Sequence, residues 1–142
     1  MSELLTIDGI VGALYHALSF APGGQPDYER LADLFYPGAR ALPPNDDDLV
    51  GSTLSVDELI ELSKEAARGP SGRREEGLIE REVARSTSAF GTIAQVFSTF
   101  EVISGDARAR GVNALQLVYQ GGRWWIASFA WDDESQLVAG DA

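Results

Sequence analysis

The stretch from Phe90 to Trp131 constrains the fold of this chain more than any other part of the sequence. It holds two long runs, Thr92–Ile103 and Val112–Trp131, that are rich in Val, Ile, Phe, Tyr and Trp, the residue types that favour β-strands. Gly121-Gly122 interrupts the second run and is a two-residue signal for a tight hairpin. The stretch therefore predicts long neighbouring strands in an antiparallel sheet.

Pairing across the Gly121-Gly122 turn assigns the second run to two faces of a hairpin. We predict Tyr119 opposite Trp124, Leu117 opposite Ile126 and Leu115 opposite Ser128. The face that we assign to the interior carries Asn113, Leu115, Leu117, Tyr119, Trp124, Ile126, Ser128 and Ala130. The other face carries Val112, Ala114, Gln116, Val118, Trp125, Ala127, Phe129 and Trp131. Both faces are mostly apolar, so each needs a cover of its own.

The composition narrows the class of protein. With 142 residues, of which 44% are hydrophobic, the chain is expected to form one domain over residues 1–142. A formal net charge of −11 argues against a nucleic-acid partner, which would need clustered Lys and Arg. There is no cysteine and a single histidine, so disulfides, thiolate metal sites and multi-histidine metal sites are excluded. We therefore expect neither a metal nor a cofactor.

The sequence also bears on location. Its first residues lack the basic start and apolar core of a signal peptide, and no apolar run approaches the ~20 residues that span a bilayer. We expect a cytoplasmic protein without a membrane partner.

Three helices are predicted before the strands. Apolar residues at helical spacing indicate a helix from Thr6, its cap, to Phe20. Asp27 caps a shorter helix from Tyr28 to Phe35, which Tyr36-Pro37-Gly38 ends. The capping box Ser55-Val56-Asp57-Glu58 begins the third helix, and Gly69-Pro70 ends it.

The remaining segments are predicted as loops and one more strand. Ala39–Leu42 is a candidate short strand, and Asp46-Asp47-Asp48 is more typical of a solvated loop than of a calcium loop. Residues 69–77 are expected to be a mobile connector and residues 135–142 a flexible tail. Leu78–Ser88 predicts a strand, so the order is three helices followed by a four-stranded antiparallel meander.

This order resembles the nuclear-transport-factor-2-like superfamily, and more narrowly its SnoaL-like branch. The residues that carry the resemblance are Leu31–Ala39, Phe90–Glu101, and Gly111–Trp131 with its Asp132-Asp133-Glu134 tail. The resemblance implies an α+β fold in which three N-terminal helices pack on a strongly curved, mainly antiparallel sheet that forms a cone with an internal pocket. It also implies dimers through the outer sheet face. Relatives include isomerases, dehydratases, polyketide cyclases and non-catalytic binding modules, so the fold alone names no activity.

The second face of the hairpin supports the expectation of a dimer. Trp125, Phe129 and Trp131 would otherwise form an exposed apolar patch of a size that monomers rarely tolerate. We predict a homodimer through the face that carries Gln116, Trp125, Ala127 and Phe129.

Nine residues are candidates for a ligand pocket: Tyr15, Tyr36, Gln95, Phe97, Asn113, Leu115, Tyr119, Trp124 and Ser128. Asn113 and Ser128 are polar positions on the interior face, where each either meets a ligand or bonds to a neighbour. Tyr119 and Trp124 either line the pocket or close the core, and the core is the more frequent outcome. The sequence does not settle which face Gln95 and Phe97 take.

Glu82 and His16 are the candidate catalytic residues. Glu82 would be a general base if it faced the apolar interior, because burial raises the pKa of a carboxyl; a surface salt-bridge ladder is the commoner alternative. Glu80 and Glu82 alternate with Arg81, and the sequence leaves open which face of the 78–88 strand turns inward. His16 lies away from the apolar stripe of its helix, as a surface histidine would.

Three functions remain open at this stage. The first is a SnoaL-like homodimer that binds a small hydrophobic or mixed polar–apolar ligand in an apolar pocket. The second is a cofactor-free isomerase, cyclase or dehydratase that does acid–base chemistry next to a carbonyl. The third is a structural dimer module whose pocket is filled by its own side chains. A cavity with an ionisable group pointing into it would separate them.

Overall fold

A computed structural model describes residues 2–44, 50–68 and 74–133. The acidic loop at Asp46-Asp47-Asp48, the helix end at Gly69-Pro70, most of the predicted connector, Glu134 and the predicted tail at 135–142 lie outside the described residues. Within the connector, residues 74–76 form a turn.

The helices and strands follow one another with short connections. A 3₁₀ helix, Ser2–Leu5, comes before the first α-helix. The α-helices are α1 (Ile7–Leu18), α2 (Tyr28–Asp33) and α3 (Val56–Arg68). The strands are β1 (Phe35–Leu42), β2 (Leu54–Ser55), β3 (Ile79–Phe90), β4 (Ile93–Ser104), β5 (Ala107–Gln120) and β6 (Arg123–Asp133). None of the helices in the described ranges is long and apolar enough to cross a membrane.

The predicted helix starts are confirmed by their caps. The Thr6 side chain accepts a hydrogen bond from the Gly9 amide over 2.9 Å, and Asp27 accepts one from the Arg30 amide over 3.0 Å. In the capping box, the Ser55 amide donates to Glu58 over 2.8 Å and the Glu58 amide donates to Ser55 Oγ over 3.1 Å. These bonds satisfy amides that have no partner within the helix.

The predicted end of the second helix is wrong. It ends at Asp33, and Phe35 through Gly38 belong to β1, which runs parallel to β6. Tertiary pairing outweighs the helix pattern here, because Phe35 is buried in the core and the Ile126 amide donates to Leu34 O over 2.9 Å. A register shift between Phe35 and Arg40 accommodates the Pro37-Gly38 pair.

One curved sheet of six strands, in the order β2-β1-β6-β5-β4-β3, faces the helices. Strands β3 to β6 form the predicted antiparallel meander, and β1 adds to its β6 edge. The predicted α+β fold, with three helices on a strongly curved and mainly antiparallel sheet, is confirmed.

The hairpin turn forms as predicted, but its register shifts further along. Gly121 and Gly122 have φ of 62° and 84°, which suits the two-residue turn between Gln120 and Arg123. Beyond the Leu117–Ile126 pair, Gln116 pairs with Ser128 and Leu115 with Phe129. The predicted pair of Leu115 with Ser128 is therefore wrong, because Ala127 is an extra residue that forms a β-bulge.

The bulge at Ala127 exchanges the two faces of β6 beyond it. Phe129 is only 7% exposed and belongs to the core, and its ring stacks on Trp131 with centroids 5.1 Å apart. Ser128 lies beside Gln116 on the convex face of the sheet instead of in the interior. One inserted residue has this effect because side chains alternate between faces along a strand.

Candidate functional site

A cavity of about 310 Å³ lies between the helices and the concave face of the sheet. Its aliphatic lining comes from all three helices and two strands: Leu14, Leu18, Leu31, Leu59, Val102 and Ala109. The aromatic lining consists of Phe100, Phe129 and Trp131. The polar lining consists of Ser63, Glu80, Asn113 and Asp133. A mostly apolar wall with a few placed polar groups is the usual make-up of a small-molecule site.

A close contact between backbone and ring shapes the β4–β5 side of the cavity. Phe100 pairs with Gly111 across the two strands. A Cβ added at Gly111 would lie 2.5 Å from Phe100 Cζ and 2.4 Å from Asp132 O, which is far inside van der Waals contact. Glycine is therefore required at position 111 for the Phe100 ring to lie against the strand and line the cavity.

Glu80 is the ionisable group that β3 directs into the cavity. Its pKa is raised to about 7, because burial disfavours the charged carboxylate. A hydrogen bond from the Asn113 side chain acts in the opposite direction and offsets part of this effect. The Glu80 carboxyl is consequently poised between its two protonation states near neutral pH, as general bases and acids often are.

A chain of buried hydrogen bonds leads from the cavity into the sheet. Asn113 Nδ2 donates to the Tyr15 hydroxyl over 3.1 Å, and that hydroxyl lies 2.7 Å from Ser98 Oγ. Ser98 Oγ donates to Glu82 Oε2 over 2.5 Å. Because this bond uses the single proton of Ser98, Tyr15 is the donor in the bond between the two hydroxyls. Burial raises the pKa of Tyr15, so its hydroxyl keeps that proton at neutral pH.

The chain ends in an ion-pair cluster that holds Glu82. Arg85 donates to Glu82 through Nε and Nη2 at 2.8–3.1 Å and also contacts Asp8 on α1. A register shift between Glu82 and Ala84 places both members of the Glu82–Arg85 pair on one face of β3. Glu82 thus lies on the concave face, which is the inward orientation that a general base would need. Its partners, however, are Arg85 and Ser98. It is not among the described residues that line the cavity.

Of the predicted pocket residues, Asn113 lines the cavity and Tyr15 bonds to Asn113. Leu115 is completely buried in the core. Tyr119 and Trp124 pack edge-to-face, with centroids 5.4 Å apart, near the hairpin end of the sheet. These three residues are placed as core residues, which is the alternative that the sequence favoured for the aromatic pair.

The other predicted pocket residues lie away from the cavity. Gln95 and Phe97 point to the convex face, since Ala94, Val96 and Ser98 are the buried residues of β4. The Ser128 side chain shares that face because of the bulge at Ala127. Tyr36 donates to Gln120 Oε1 over 2.5 Å and packs edge-on against Trp125. Strand parity, which the sequence left open or misassigned, is the reason for Gln95, Phe97 and Ser128, whereas Tyr36 lies on β1 instead of at a helix end.

His16, a predicted catalytic residue, lies at the surface of the protein. It is exposed on α1, beside a surface groove that includes Ser19 and Phe20.

The predicted dimer face changes in one residue. Phe129, predicted at the dimer interface, is instead part of the core, because the bulge at Ala127 turns it inward. The convex face keeps Gln116 and Trp125. Its exposed apolar residues include Phe90 at 84%, Phe97 at 52% and Ile93 at 49%.

Sequence reasoning missed Glu80 as the acid of the cavity, and it missed Ser98, Phe100 and Trp131. A signal for Glu80 was present. Glu80 and Glu82 alternate with Ile79 and Val83 along the strand, so either the two glutamates or the two apolar residues had to face inward. The glutamates face inward. Among the described residues, no cluster of three or more His, Asp or Glu side chains could hold a metal ion.

No family model and no curated protein matches this sequence. Solved structures do match it. A candidate dehydratase of the nuclear-transport-factor-2-like family from Streptomyces avermitilis superposes with a TM-score of 0.67 at 16% identity, over 97% of this chain and 98% of that one. A protein with a cystatin-like fold from Nostoc punctiforme gives a TM-score of 0.69 at 12% identity, over 94% and 92% of the two chains.

A candidate ketosteroid isomerase from Parabacteroides distasonis gives a TM-score of 0.62 at 12% identity, over 89% of this chain and 86% of that one. At such identities the similarity shows the fold and leaves the activity open.

Proposed function

We propose that this chain, which has the fold of nuclear-transport-factor-2-like proteins, is a SnoaL-like homodimeric protein that binds a small molecule in the cavity beside Glu80. The observation that carries the proposal is the cavity itself. It combines an apolar and aromatic wall with a buried carboxyl and a buried amide. The lack of cysteine in the sequence fits the cytoplasm, which is the location we propose.

The size of the cavity supports binding over the structural alternative. A module whose side chains fill its own interior would have few voids larger than a water molecule. The volume of about 310 Å³ here is near the lower end of the ~300–1,000 Å³ that ligand sites occupy. The polar groups in the wall would fix the orientation of a ligand whose body contacts the leucines and aromatic rings.

Acid–base catalysis is the second candidate, and Glu80 is the observation that favours it. A carboxyl with a pKa of about 7 can accept a proton from a carbon acid and return it at neutral pH. In this version Glu80 replaces Glu82 as the proposed base, because Glu82 is held by Arg85 and Ser98. Two of the structural neighbours are described as a candidate dehydratase and a candidate ketosteroid isomerase, and both reaction types belong to this second proposal.

The hydrogen-bond directions favour binding over chemistry next to a carbonyl. Such chemistry needs donors aimed at the oxygen on which negative charge develops. The Tyr15 hydroxyl donates its hydrogen bond to Ser98, and the Asn113 amide donates to Tyr15 and to Glu80. Neither residue directs a spare proton into the cavity in this arrangement. Binding without chemistry is therefore the leading proposal.

The proposed homodimer uses the convex face of the sheet. We place Phe97 at the centre of the interface, in place of Phe129, which the sequence analysis had assigned to it. Phe90, Ile93 and Phe97 are apolar and at least 49% exposed on neighbouring strands. Large exposed apolar patches commonly mark interaction sites. The resemblance implies that a second copy of the chain covers this face.

A cavity-filling variant tests the proposed site. The probe is a neutral naphthylamine dye whose fluorescence rises in an apolar environment. We expect saturable binding of one dye per chain, and at least a tenfold loss of affinity in Ser63→Phe, because the new ring would occupy the cavity. Leu62→Phe adds the same bulk at the neighbouring position of α3, which is 43% exposed, and should bind as the parent does. Equal binding by both variants would place the dye elsewhere and reject the site.

A further inference from the structure

The cavity has an unusual charge balance. Four polar residues line it, and none of the described lining residues is Lys, Arg or His. Burial and the Asn113 bond are the influences on the pKa of Glu80, and no cation contributes. The carboxyl is thus buried beside a neutral amide, and the described part of the chain gives it no positive partner of the kind that a buried carboxylate usually has.

The hydrogen-bonding groups of the cavity are mainly acceptors. The Asn113 amide protons and the Tyr15 proton are already bonded to protein atoms. The ionised Glu80 carboxylate can only accept. A ligand that bonds to Glu80 in its ionised form must therefore bring its own donor, which an amine, ammonium or hydroxyl group does and a carbonyl, ether or carboxylate does not.

The aromatic wall selects among these donors. Phe129 and Trp131 both line the cavity and stack with centroids 5.1 Å apart and an interplanar angle of 23°, so each ring keeps one face that the other does not cover. The faces of such rings attract organic cations, and the attraction is stronger away from water. An anion would meet a buried carboxylate with no counter-charge among the described lining residues, which disfavours acids and phosphates.

We infer that the cavity binds an organic cation: a protonated amine on a flat apolar body, with the ammonium beside Glu80 and the body against Phe129 and Trp131. This inference rests on the proposed function, since it names the ligand class of that site. The groups that face Glu80 are Asn113 on β5, Ser63 on α3 and Asp133 on β6, with Tyr15 of α1 behind Asn113. Glu82 follows Glu80 on its own strand.

The test uses three probes with one skeleton: naphthylmethylammonium, naphthylmethanol and naphthoate. Binding is measured by titration calorimetry at pH 6 and pH 8. An alkylammonium keeps its proton over this range, as lysine does with a pKa of about 10.4. Ionisation of Glu80 near pH 7 should then raise the affinity for the ammonium roughly tenfold between pH 6 and pH 8. At pH 8 the ammonium should bind at least tenfold more tightly than the alcohol, and naphthoate should bind least.

Variants separate the charge from the rest of the cavity. Glu80→Gln should remove both the preference for the ammonium and its pH dependence, while the alcohol still binds. Glu75→Gln removes a carboxylate from an exposed turn and should change neither. Trp131→Leu should weaken the ammonium more than the alcohol, which gives a second measurement should Glu80→Gln fail to fold.

Three outcomes reject the inference. If the alcohol or naphthoate binds as tightly as the ammonium, or if ammonium binding is the same at both pH values, the cavity does not select a cation, and the proposed small-molecule site survives. If none of the three probes binds but the dye test succeeds, the ligand class is again wrong. If the dye test fails as well, the proposed site fails and the inference with it.

Discussion

Glu80 and Glu82 lie two residues apart on the concave face of β3, yet they have opposite environments. Glu80 lines the cavity beside Asn113, and its pKa is raised to about 7 by burial. Glu82 contacts Arg85 and Ser98 at hydrogen-bonding distance and anchors the far end of the buried chain. One strand therefore supplies both an ionisable group for a ligand and a fixed charge that orients the groups behind it.

The first prediction follows from the raised pKa of Glu80. The unfolded chain releases this proton near pH 4.5, whereas the folded chain keeps it until about pH 7. Between these values the unfolded state binds fewer protons, so the contribution of Glu80 to the free energy of unfolding falls as the pH rises. Relative to the parent, Glu80→Gln should gain about 2–3 kcal/mol of stability between pH 4 and pH 8.

Urea unfolding of both proteins across this pH range measures the difference. Glu75→Gln is the control for the loss of one negative charge. A parent-to-variant difference that stays constant with pH would show that the Glu80 carboxyl titrates at its ordinary value, and would remove the basis for a poised acid in the cavity.

The second prediction concerns Asn113, which both lines the cavity and holds the Tyr15 hydroxyl. Asn113→Leu should cost about 1–3 kcal/mol, because it leaves buried partners without a hydrogen bond. A double-mutant cycle with Tyr15→Phe should show coupling of about 0.5–3 kcal/mol, since the two side chains share one bond. Additive losses in thermal unfolding would mean that this bond contributes nothing to stability.

The third prediction moves the dimer test to the residue that the structure exposes. Phe97→Glu should produce folded monomers in size-exclusion chromatography with light scattering, because it places a charge in the middle of the proposed interface. Leu62→Glu places the same charge on α3, outside that face, and should stay dimeric. Phe129→Glu would instead disrupt the core. A folded Phe97→Glu dimer would show that the interface lies elsewhere.

The fourth prediction is that His16 is dispensable. Its side chain is exposed on α1, and the described residues that line the cavity do not include it. His16→Ala should bind the dye and the naphthyl probes within about twofold of the parent and change stability by less than about 0.5 kcal/mol, as ordinary surface substitutions do. Loss of binding in a normally folded variant would contradict this placement.

Local chemistry explains which parts of the fold could be predicted. Thr6, Asp27 and Ser55 bond to amides within three residues of themselves, so the helix starts follow from short sequence patterns. The hairpin turn depends on two glycines with positive φ. By contrast, the place of β1 beside β6 depends on residues about 90 positions apart, and no local pattern indicates that Phe35 leaves its helix.

The candidate site was harder to predict because two β-bulges determine which side chains face the cavity. The extra residue at Ala127 turns Phe129 and Trp131 inward, and the shift beyond Glu82 brings Arg85 to the same face as Glu82. Asn113 and Tyr15 were identified because they lie on segments without a bulge. In β6 large apolar residues fill the consecutive positions Trp124, Trp125 and Ile126 before Ala127, and the alternate positions Phe129 and Trp131 after it. Because Trp125, Phe129 and Trp131 share one parity, the alternation of residue types does not indicate the bulge.

The last prediction concerns Gly111, which shapes the cavity without contributing a side chain. Alanine at this position would place its Cβ 2.5 Å from Phe100 Cζ and 2.4 Å from Asp132 O. The ring could rotate away, but the backbone oxygen of β6 could move only by disturbing the pairing of Gly111 with Asp133. Gly111→Ala should therefore destabilise the protein by about 1–3 kcal/mol, as overpacking does, and weaken probe binding because Phe100 is displaced into the cavity.

Gly12→Ala is the matched control, since a Cβ there meets nothing within 4 Å. Gly12 lies in α1, where alanine should stabilise the helix by about 0.5–1 kcal/mol. The same chemical change is thus expected to have opposite signs at the two positions. Phe100→Leu in the Gly111→Ala background should recover part of the lost stability, but not all of it, because the conflict with Asp132 O remains. If Gly111→Ala unfolds at the parent temperature and binds the naphthyl probes unchanged, the close approach of Phe100 to β5 does not shape the cavity.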